Sequence, residues 1–566
     1  MSEKIKTIRE VIETDLLIIG GGTAGCFAAV AAKEADPSVD VTIMEKAHIE
    51  RSGCLAAGIN AINAYLNPGE TPETFLEYVK KDSSGLVRDD LVYTIAQGLN
   101  EVTRKVESWG LPILKDEEGN YVARGKRSIR INGERFKPII ARAASRSGAR
   151  ILNRVAATNY IIIDNRVAGA YGLGVRDGKF YIVKAKAVIC ATGGAAGIYR
   201  PNNDGSARHK MWYPPFNTGA GYAMGIRAGA EMTGLEMRFI ALRVKDVIAP
   251  TGTLAQGVSA PQINARGEQY LQRWGKSSTP LRLQATLEEN RAGRGPCYLD
   301  TRHLTSEQAH SLKAAYLNMC PGMVLSWADH GVEPNKPLEI GGSEPYIVGG
   351  HTQSGYWVDV KRRTTLDGLY AAGDVAGGSP KKYVTGCFVE GELAAKDAVR
   401  YIKGVKLEEP APGDLEDEIK RVYAPQRVGK DEGFLPGELE EALQKIMDEY
   451  AGGISSGYLL NEEKLLIARE KLAALKEQTV KLAARDCHEL VQAHEVIDRL
   501  DVARVLVEHL LYRKETRWPC YQTRTDFPEQ DDANWLKFVN SVYDPGADRI
   551  TIVERPYLGL ENVRSS

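Results

Sequence analysis

The chain has 566 residues, a net charge of −1 with 73 Lys plus Arg against 74 Asp plus Glu, and 43% hydrophobic residues. That length carries about three domains with sizeable cores, and the balanced charge leaves no basic tail or run that would hold a nucleic acid. No stretch approaches the roughly 18 apolar residues of a membrane span, and the eight cysteines form no Cys-x-x-Cys and no zinc or iron–sulfur spacing, so no metal site is expected.

The N-terminus, MSEKIKTIREVIETD, is charged and lacks an apolar signal segment, so a cytoplasmic location with reduced thiols is expected. An apolar strand from Asp15 to Ile19 then runs into Gly20-x-Gly22-x-x-Gly25 and an Ala-rich helix. Glycines at this spacing allow a tight turn and let the backbone approach a pyrophosphate at the helix N-terminus. The next strand, DVTIMEK, ends in Glu45 and Lys46, about twenty residues past the last glycine, where an acidic residue holds an adenosine ribose. In RSGCLAAGINAINAY, Ser52 and Gly53 fall where they touch phosphates or ring, and Cys54 reads as packing.

Residues 71–110 show apolar positions at helical spacing. Alternating patterns from Ile151 to Ala191 predict hairpin strands and a returning core strand that ends in ATGG, with Thr192 and Gly193 in the linking turn. Gly219–Gly229 is a small-residue helix, and the mixed stretch from Glu236 to Pro345 reads as an insertion that caps a substrate. The phrase TTLDGLYAAGDVAGG delivers Asp374 toward a ribityl chain, which points to FAD rather than NAD. After the Pro-rich EEPAPGDLE, residues 436–512 are helical nearly throughout, and the tail from Lys514 looks irregular.

The predicted fold class is therefore α/β. A discontinuous Rossmann-type FAD-binding domain (1–235 and 346–405) carries an inserted α+β capping domain (236–345), a C-terminal helical domain (406–513) and an irregular tail (514–566).

Several phrases resemble the flavoprotein subunits of dissimilatory adenylylsulfate reductases, within the fumarate reductase/succinate dehydrogenase flavoprotein superfamily. They include ERSGCLAAGINAINAY, INGERFKPIIA, WYPPFNTGAGYAMGIRAGAEMT, TPLRLQ, GGSPKKYVTGCFVEGELAAKDAVRYI and RKETRWPCYQTRTDFPEQDD, and they span nearly the whole chain. In the superfamily a histidine in the stretch around Ser52 binds FAD covalently; Gly53 stands there, so FAD is expected to be non-covalent. The resemblance implies reduction of adenylylsulfate to AMP and sulfite through a flavin–sulfite adduct, with the reverse reaction open as well, and with electrons from an iron–sulfur, ferredoxin-like partner subunit or another redox protein.

By motif match Arg243, Arg282 and His351 take the family's catalytic positions, and Asn63, Glu134, Trp212 and Phe388 its substrate-binding ones, with Phe388 as a platform for adenine. Arginine suits a sulfonyl group and a leaving phosphate because its charge is permanent and its donors fork toward oxyanions. Each residue also has a structural reading, such as a surface pairing of Glu134 with Arg135 or Arg130. The stretch VKDVIAPTGTLAQG departs from the family pattern and places Leu254, Ala255 or Gln256 near the expected nucleotide. Two other functions remain open: a fumarate reductase-like flavoprotein acting on another small anion, and an electron-transfer subunit without its own substrate. The first is disfavoured by SPKKYVTGCF, which holds Lys381 and Lys382 where that group has an arginine.

Overall fold

The computed structural model describes residues 8–201, 211–247, 249–274, 279–332, 334–429 and 432–561. Its central sheet has seven strands. Arg9–Ile19 lies between Val41–Glu45 and Phe180–Cys190, parallel to both, and Arg150–Asn153 extends the sheet beyond Val41–Glu45. The strand Phe180–Cys190 divides its second edge. Its first half pairs antiparallel with Arg166–Gly174, which pairs in turn with Val155–Ile163, as the alternating pattern predicts. Its last three residues pair in parallel with Leu369–Ala371. Segments about 180 residues apart in sequence thereby become neighbours, and both halves of the FAD-binding fold end at one edge.

Small residues bring helices onto this sheet. Thr23–Ala35 is buried from Ala24 to Ala32. It packs on Tyr383–Tyr401, where a Cβ on Gly391 would meet the Ala24 carbonyl oxygen at 2.4 Å. The helical stretch expected over 71–110 is two helices, Pro72–Asp82 and Asp89–Ser108. Ser84 and Gly85 separate them in the left-handed region, which ends a helix.

The expected capping segment forms its own four-stranded antiparallel sheet, ordered Leu242–Val244, Leu338–Gly342, Cys297–Leu299, Gln262–Ile263. It carries the helices Thr279–Arg291, Ser306–Met319 and Pro321–Asp329. In the C-terminal region Pro412–Tyr423, Pro436–Tyr450, Glu462–Gln478 and Cys487–Tyr512 are helical. Arg227, at the end of the helix Ala220–Arg227, ties the longest of these to the FAD-binding fold through Asp498 and Asp501, both at 2.9 Å.

The tail differs from expectation. Residues 537–556 form a hairpin, Lys537–Asp544 with Arg549–Pro556, and its first strand pairs with Met232–Thr233. Arg513, Arg517 and Arg524 next to the hairpin are fully buried, and they are satisfied by Glu236, Glu515 and Asp526. Among the described residues no helix is long and apolar enough to cross a membrane.

Candidate active site

The carboxyl ends of four parallel strands, at Ile19, Glu45, Cys190 and Ala371, open on one cavity of about 1390 Å³. Open α/β sheets bind ligands at this end. A single small-molecule site occupies roughly 300–1,000 Å³, so a dinucleotide and a second ligand fit together.

One side of the cavity is backbone. Gly20 has φ +102°, and a Cβ there would lie 2.4 Å from the Ala191 carbonyl oxygen. Gly22 lines the cavity and begins the helix Thr23–Ala35 with no side-chain cap and no acid in the first turn, which leaves its first amides open to an anion. Ser52 and Gly53 face it from the next loop; the Ser52 hydroxyl is buried without a partner, and Gly53 holds φ +75°. Gly25 does not reach the cavity. It lets the helix seat on the strand, since a Cβ there would lie 1.9 Å from the Gly20 carbonyl oxygen.

Polar groups flank this cradle. Glu45 accepts from the Gly21 amide at 2.8 Å and the Ala47 amide at 2.7 Å, and each oxygen keeps a lone pair for a ribose hydroxyl. Lys46 lines the wall and pairs with Glu495 at 2.7 Å. Thr192 and Gly193 lie beside Asn217, whose amide donates to the Thr192 carbonyl at 2.9 Å. Asp374 accepts from the Tyr213 hydroxyl at 2.7 Å, and burial pushes its carboxyl pKa up. An uncapped helix start, an orphaned Ser52 hydroxyl and carboxylates at both ends of the cradle fit FAD.

The opposite side is built from side chains. Arg243, on the edge strand of the capping sheet, is buried with its guanidinium 4.6 Å from the Trp212 ring. Its Nε has no partner among the described residues, and desolvation pushes its pKa down to about 9, a penalty that a bound anion removes. Arg282, on the first capping helix, donates from Nε to Gln262 Oε1 at 2.7 Å, while one Nη is buried without a partner among the described residues. Desolvation lowers its pKa as well.

His351 stacks on Phe239 at 4.3 Å and meets Trp212 edge-on at 5.0 Å. Desolvation and then the Arg243 charge push its pKa down to about 3, which leaves the ring neutral near pH 7. Arg243, Arg282, His351, Trp212 and Asn63 all line this cavity, together with the cofactor cradle.

Two expectations fail. Phe388 is buried in the core between Phe27 and Phe136, with ring centroids at 4.8 and 5.7 Å, and it cannot stack on a ligand in the cavity. On the helix Tyr383–Tyr401 its neighbour Cys387, turned about 100°, takes the cavity-facing place. Glu134 is exposed on a separate cavity of about 440 Å³, lined also by Arg51, Arg135 and Asn318 at the seam with the capping helices. Its Cα would lie 3.3 Å from a Cβ on Gly58, but its side chain does not line the main cavity. Leu254 is likewise in the capping core, and the side chain of Gln256 lies outside the described residues.

Other wall residues escaped the sequence. Cys54 is exposed on the wall rather than packed. Tyr213 joins the Gly194 amide, at 2.8 Å, to Asp374. Arg124, Tyr78, Asp82, Lys381 and Tyr383 form a further polar face. Only the doubled lysine in SPKKY hinted at it. Lys382 is buried against Glu390 at 2.9 Å, away from the cavity.

The family model described as "FAD binding domain" matches residues 15–387, and that described as "Fumarate reductase flavoprotein C-term" matches residues 440–561. The adenylylsulfate reductase subunit alpha of Megalodesulfovibrio gigas is 33% identical, over 96% of this chain and 95% of its own. The solved adenylylsulfate reductase of Archaeoglobus fulgidus superposes with a TM-score of 0.94 at 39% identity, covering 98% of this chain and 97% of that one. A structure described as adenosine-5-phosphosulfate reductase in complex with sulfite (covalent adduct) matches with the same TM-score, identity and coverage. An uncapped glycine cradle for FAD, facing a wall of buried arginines within this shared fold, belongs to a flavoprotein oxidoreductase, and the chain is a member of the adenylylsulfate reductase alpha-subunit family.

Proposed function

We propose that the chain is the catalytic flavoprotein subunit that reduces adenylylsulfate to AMP and sulfite, with FAD held non-covalently. The reading is carried by one observation: Arg243 and Arg282 are buried on the same cavity as the FAD cradle, each with a guanidinium nitrogen that has no partner among the described residues. Unpaired buried cations of this kind are costly unless an anion completes them.

Gly20, Gly22, Ser52 and Gly53 hold the pyrophosphate, Glu45 the adenosine ribose and Asp374 the ribityl chain; Lys46, Thr192 and Gly193 close the sides, and Gly25 acts through the seating of the helix. Bound FAD in its reduced form supplies an electron pair. The bond between the sulfonyl sulfur and the bridging oxygen breaks, the sulfur gains the two electrons, and the oxygen leaves on the phosphate of AMP. Arg243, aligned by Trp212, and Arg282, aligned by Gln262, stabilise the charge that grows on these oxygens. Neutral His351 takes up a proton as that charge develops beside it. Asn63 adds a polar contact on the opposite lip.

The chain divides into the FAD-binding domain (1–235, 346–405), the capping domain (236–345), the helical domain (406–513) and the tail (514–566). The capping sheet, Leu242–Gly342, lies wholly inside the second of these, which supports that boundary. Electrons come from an iron–sulfur partner subunit in the cytoplasm, consistent with the relative's designation as a subunit alpha.

The test is anaerobic turnover of the FAD-loaded chain with a reduced viologen. Release of equal AMP and sulfite is expected. If sulfite bleaches the visible flavin band while neither AMP nor adenylylsulfate binds at millimolar concentration, the substrate is another small anion.

A further inference from the structure

Resting on the adenylylsulfate reading, we propose that Arg124 is a third anion-binding arginine of the cavity, which holds the phosphate of the nucleotide while Arg243 and Arg282 serve the sulfonyl end. Arg124 comes from neither side of the site described above. It sits on a hairpin of the FAD-binding domain, where Ala123 bridges to Ile129 and Ile129–Arg130 pairs with Ala61–Ile62. That pairing sets Arg124 against Asn63, and one Nη donates to the Asn63 side-chain oxygen. Its Nε is sealed from solvent and has no partner among the described residues. Desolvation lowers its pKa, with Arg130 adding to the fall, and the one group that raises it is the neutral phenol of Tyr383. Arg124 thus shares the mark that singles out Arg243 and Arg282: a guanidinium facing the cavity with a buried nitrogen left over.

Neighbouring cations do not combine both features. Lys381 on the same face is in contact with Asp82 and donates to the Tyr78 hydroxyl at 3.3 Å, so its nitrogen is not left over, although desolvation pushes its pKa down to about 7. Arg127, three residues along the hairpin, also has a buried Nε without a partner among the described residues, but it does not line the cavity and pairs with Glu70 at 2.7 Å.

A continuous ring wall links Arg124 to Arg243. Tyr383 lines the same face of the cavity as Arg124 and meets His351 edge-on at 5.2 Å; His351 meets Trp212 at 5.0 Å; Arg243 covers Trp212 at 4.6 Å. His351 therefore lies in a row of rings that runs from one guanidinium to the other. A substrate with one negative charge leaves one of them uncompensated. A sulfonyl–phosphate anhydride carries two charges separated by a bridging oxygen and answers both. Arginine fits the phosphate end because its planar donors pair two oxygens at once.

The experiment compares the FAD-loaded wild type with Arg124→Gln, Arg124→Lys and, as a control for surface charge, Lys126→Gln, whose side chain is 79% exposed. AMP affinity is read by calorimetry and sulfite affinity by bleaching of the flavin band. In Arg124→Gln, AMP affinity should fall about 10- to 100-fold, the loss of a hydrogen-bonded charged donor. Sulfite affinity should stay within about twofold, because the sulfonyl end keeps its two arginines. Arg124→Lys should recover part of the AMP affinity, and Lys126→Gln should match wild type. Unchanged AMP affinity in Arg124→Gln, or equal losses for AMP and sulfite, overturns the assignment of Arg124 to the phosphate. Failure of the wild type itself to bind AMP overturns the substrate reading, and this inference with it.

Discussion

The two sides of the cavity are made by different physics. The FAD side is backbone: close approaches at Gly20 and Gly25, a bare helix start at Gly22, and strand ends held in register by the sheet. The anion side is long charged side chains from separate elements, buried with nitrogens unspent. The first side is stable before any ligand arrives. The second stores unfavourable desolvation that a bound anion relieves. Substitutions on the two sides should therefore have opposite signatures, one losing fold and cofactor together, the other losing rate while gaining stability.

The largest effect is expected at Gly25→Val. Its Cβ would meet the Gly20 carbonyl oxygen at 1.9 Å, so helix and strand must separate. Loss of several kcal/mol is expected, seen as an apoprotein that neither retains FAD on gel filtration nor melts cooperatively. A variant that keeps stoichiometric FAD would break the contrast on this side.

Next comes Arg282→Met. Removing an oxyanion donor should lower kcat about 10²- to 10³-fold. The ligand-free protein should be equally stable or more so by about 1 kcal/mol, because a buried charge with an unpartnered nitrogen is gone. Destabilisation by more than that, measured in urea, would make Arg282 a structural residue.

The pH dependence is smaller. In the ligand-free protein the His351 pKa is about 3, below its ordinary value near 6.5. Between these values the unfolded chain binds the extra proton, so stability falls as pH drops from about 6.5 toward 3. His351→Gln should flatten that slope; His494, pushed down to about 4, acts with the same sign and should keep part of it. Conversely, an anion bound beside His351 raises its pKa, so sulfite binding should take up protons, measurable by calorimetry in buffers of different ionisation heat. Identical acid slopes in wild type and variant would refute the neutral-histidine assignment.

The smallest effect on function is expected at Phe388→Leu. The core contacts with Phe27 and Phe136 should cost about 1–2 kcal/mol of stability, and AMP affinity should not change. Loss of AMP binding at unchanged stability would return Phe388 to the cavity.

The same contrast explains what could be read from sequence. A backbone cradle needs glycines and acids at fixed spacing along one chain segment, so Gly20, Gly22, Glu45 and Asp374 were legible. The side-chain wall is assembled by pairings remote in sequence. Arg243 and His351 could be placed only through resemblance, and Arg124 not at all, because its position depends on how 123–130 pairs with 61–62. Phe388 failed by one residue, since a helix turns the next side chain to the other face. Glu134 failed because its loop closes on the seam with the capping helices. Buried Arg513, Arg517 and Arg524 give the start of the tail a composition that elsewhere marks a surface.

The divided edge of Phe180–Cys190 has a consequence for how the chain is made. Val188 waits for Leu369, 181 positions later, before that edge is covered. At about 5–20 residues per second of translation, the wait is roughly 10–40 s. For that time a short stretch of unpaired backbone, flanked by apolar side chains, faces the ribosome's surroundings while the whole capping segment emerges and folds on its own sheet. Production of the protein should thus depend on translation speed and on holding factors more than its finished stability would suggest, and slowing synthesis after residue 345 should reduce yield where the same slowing before residue 180 would not.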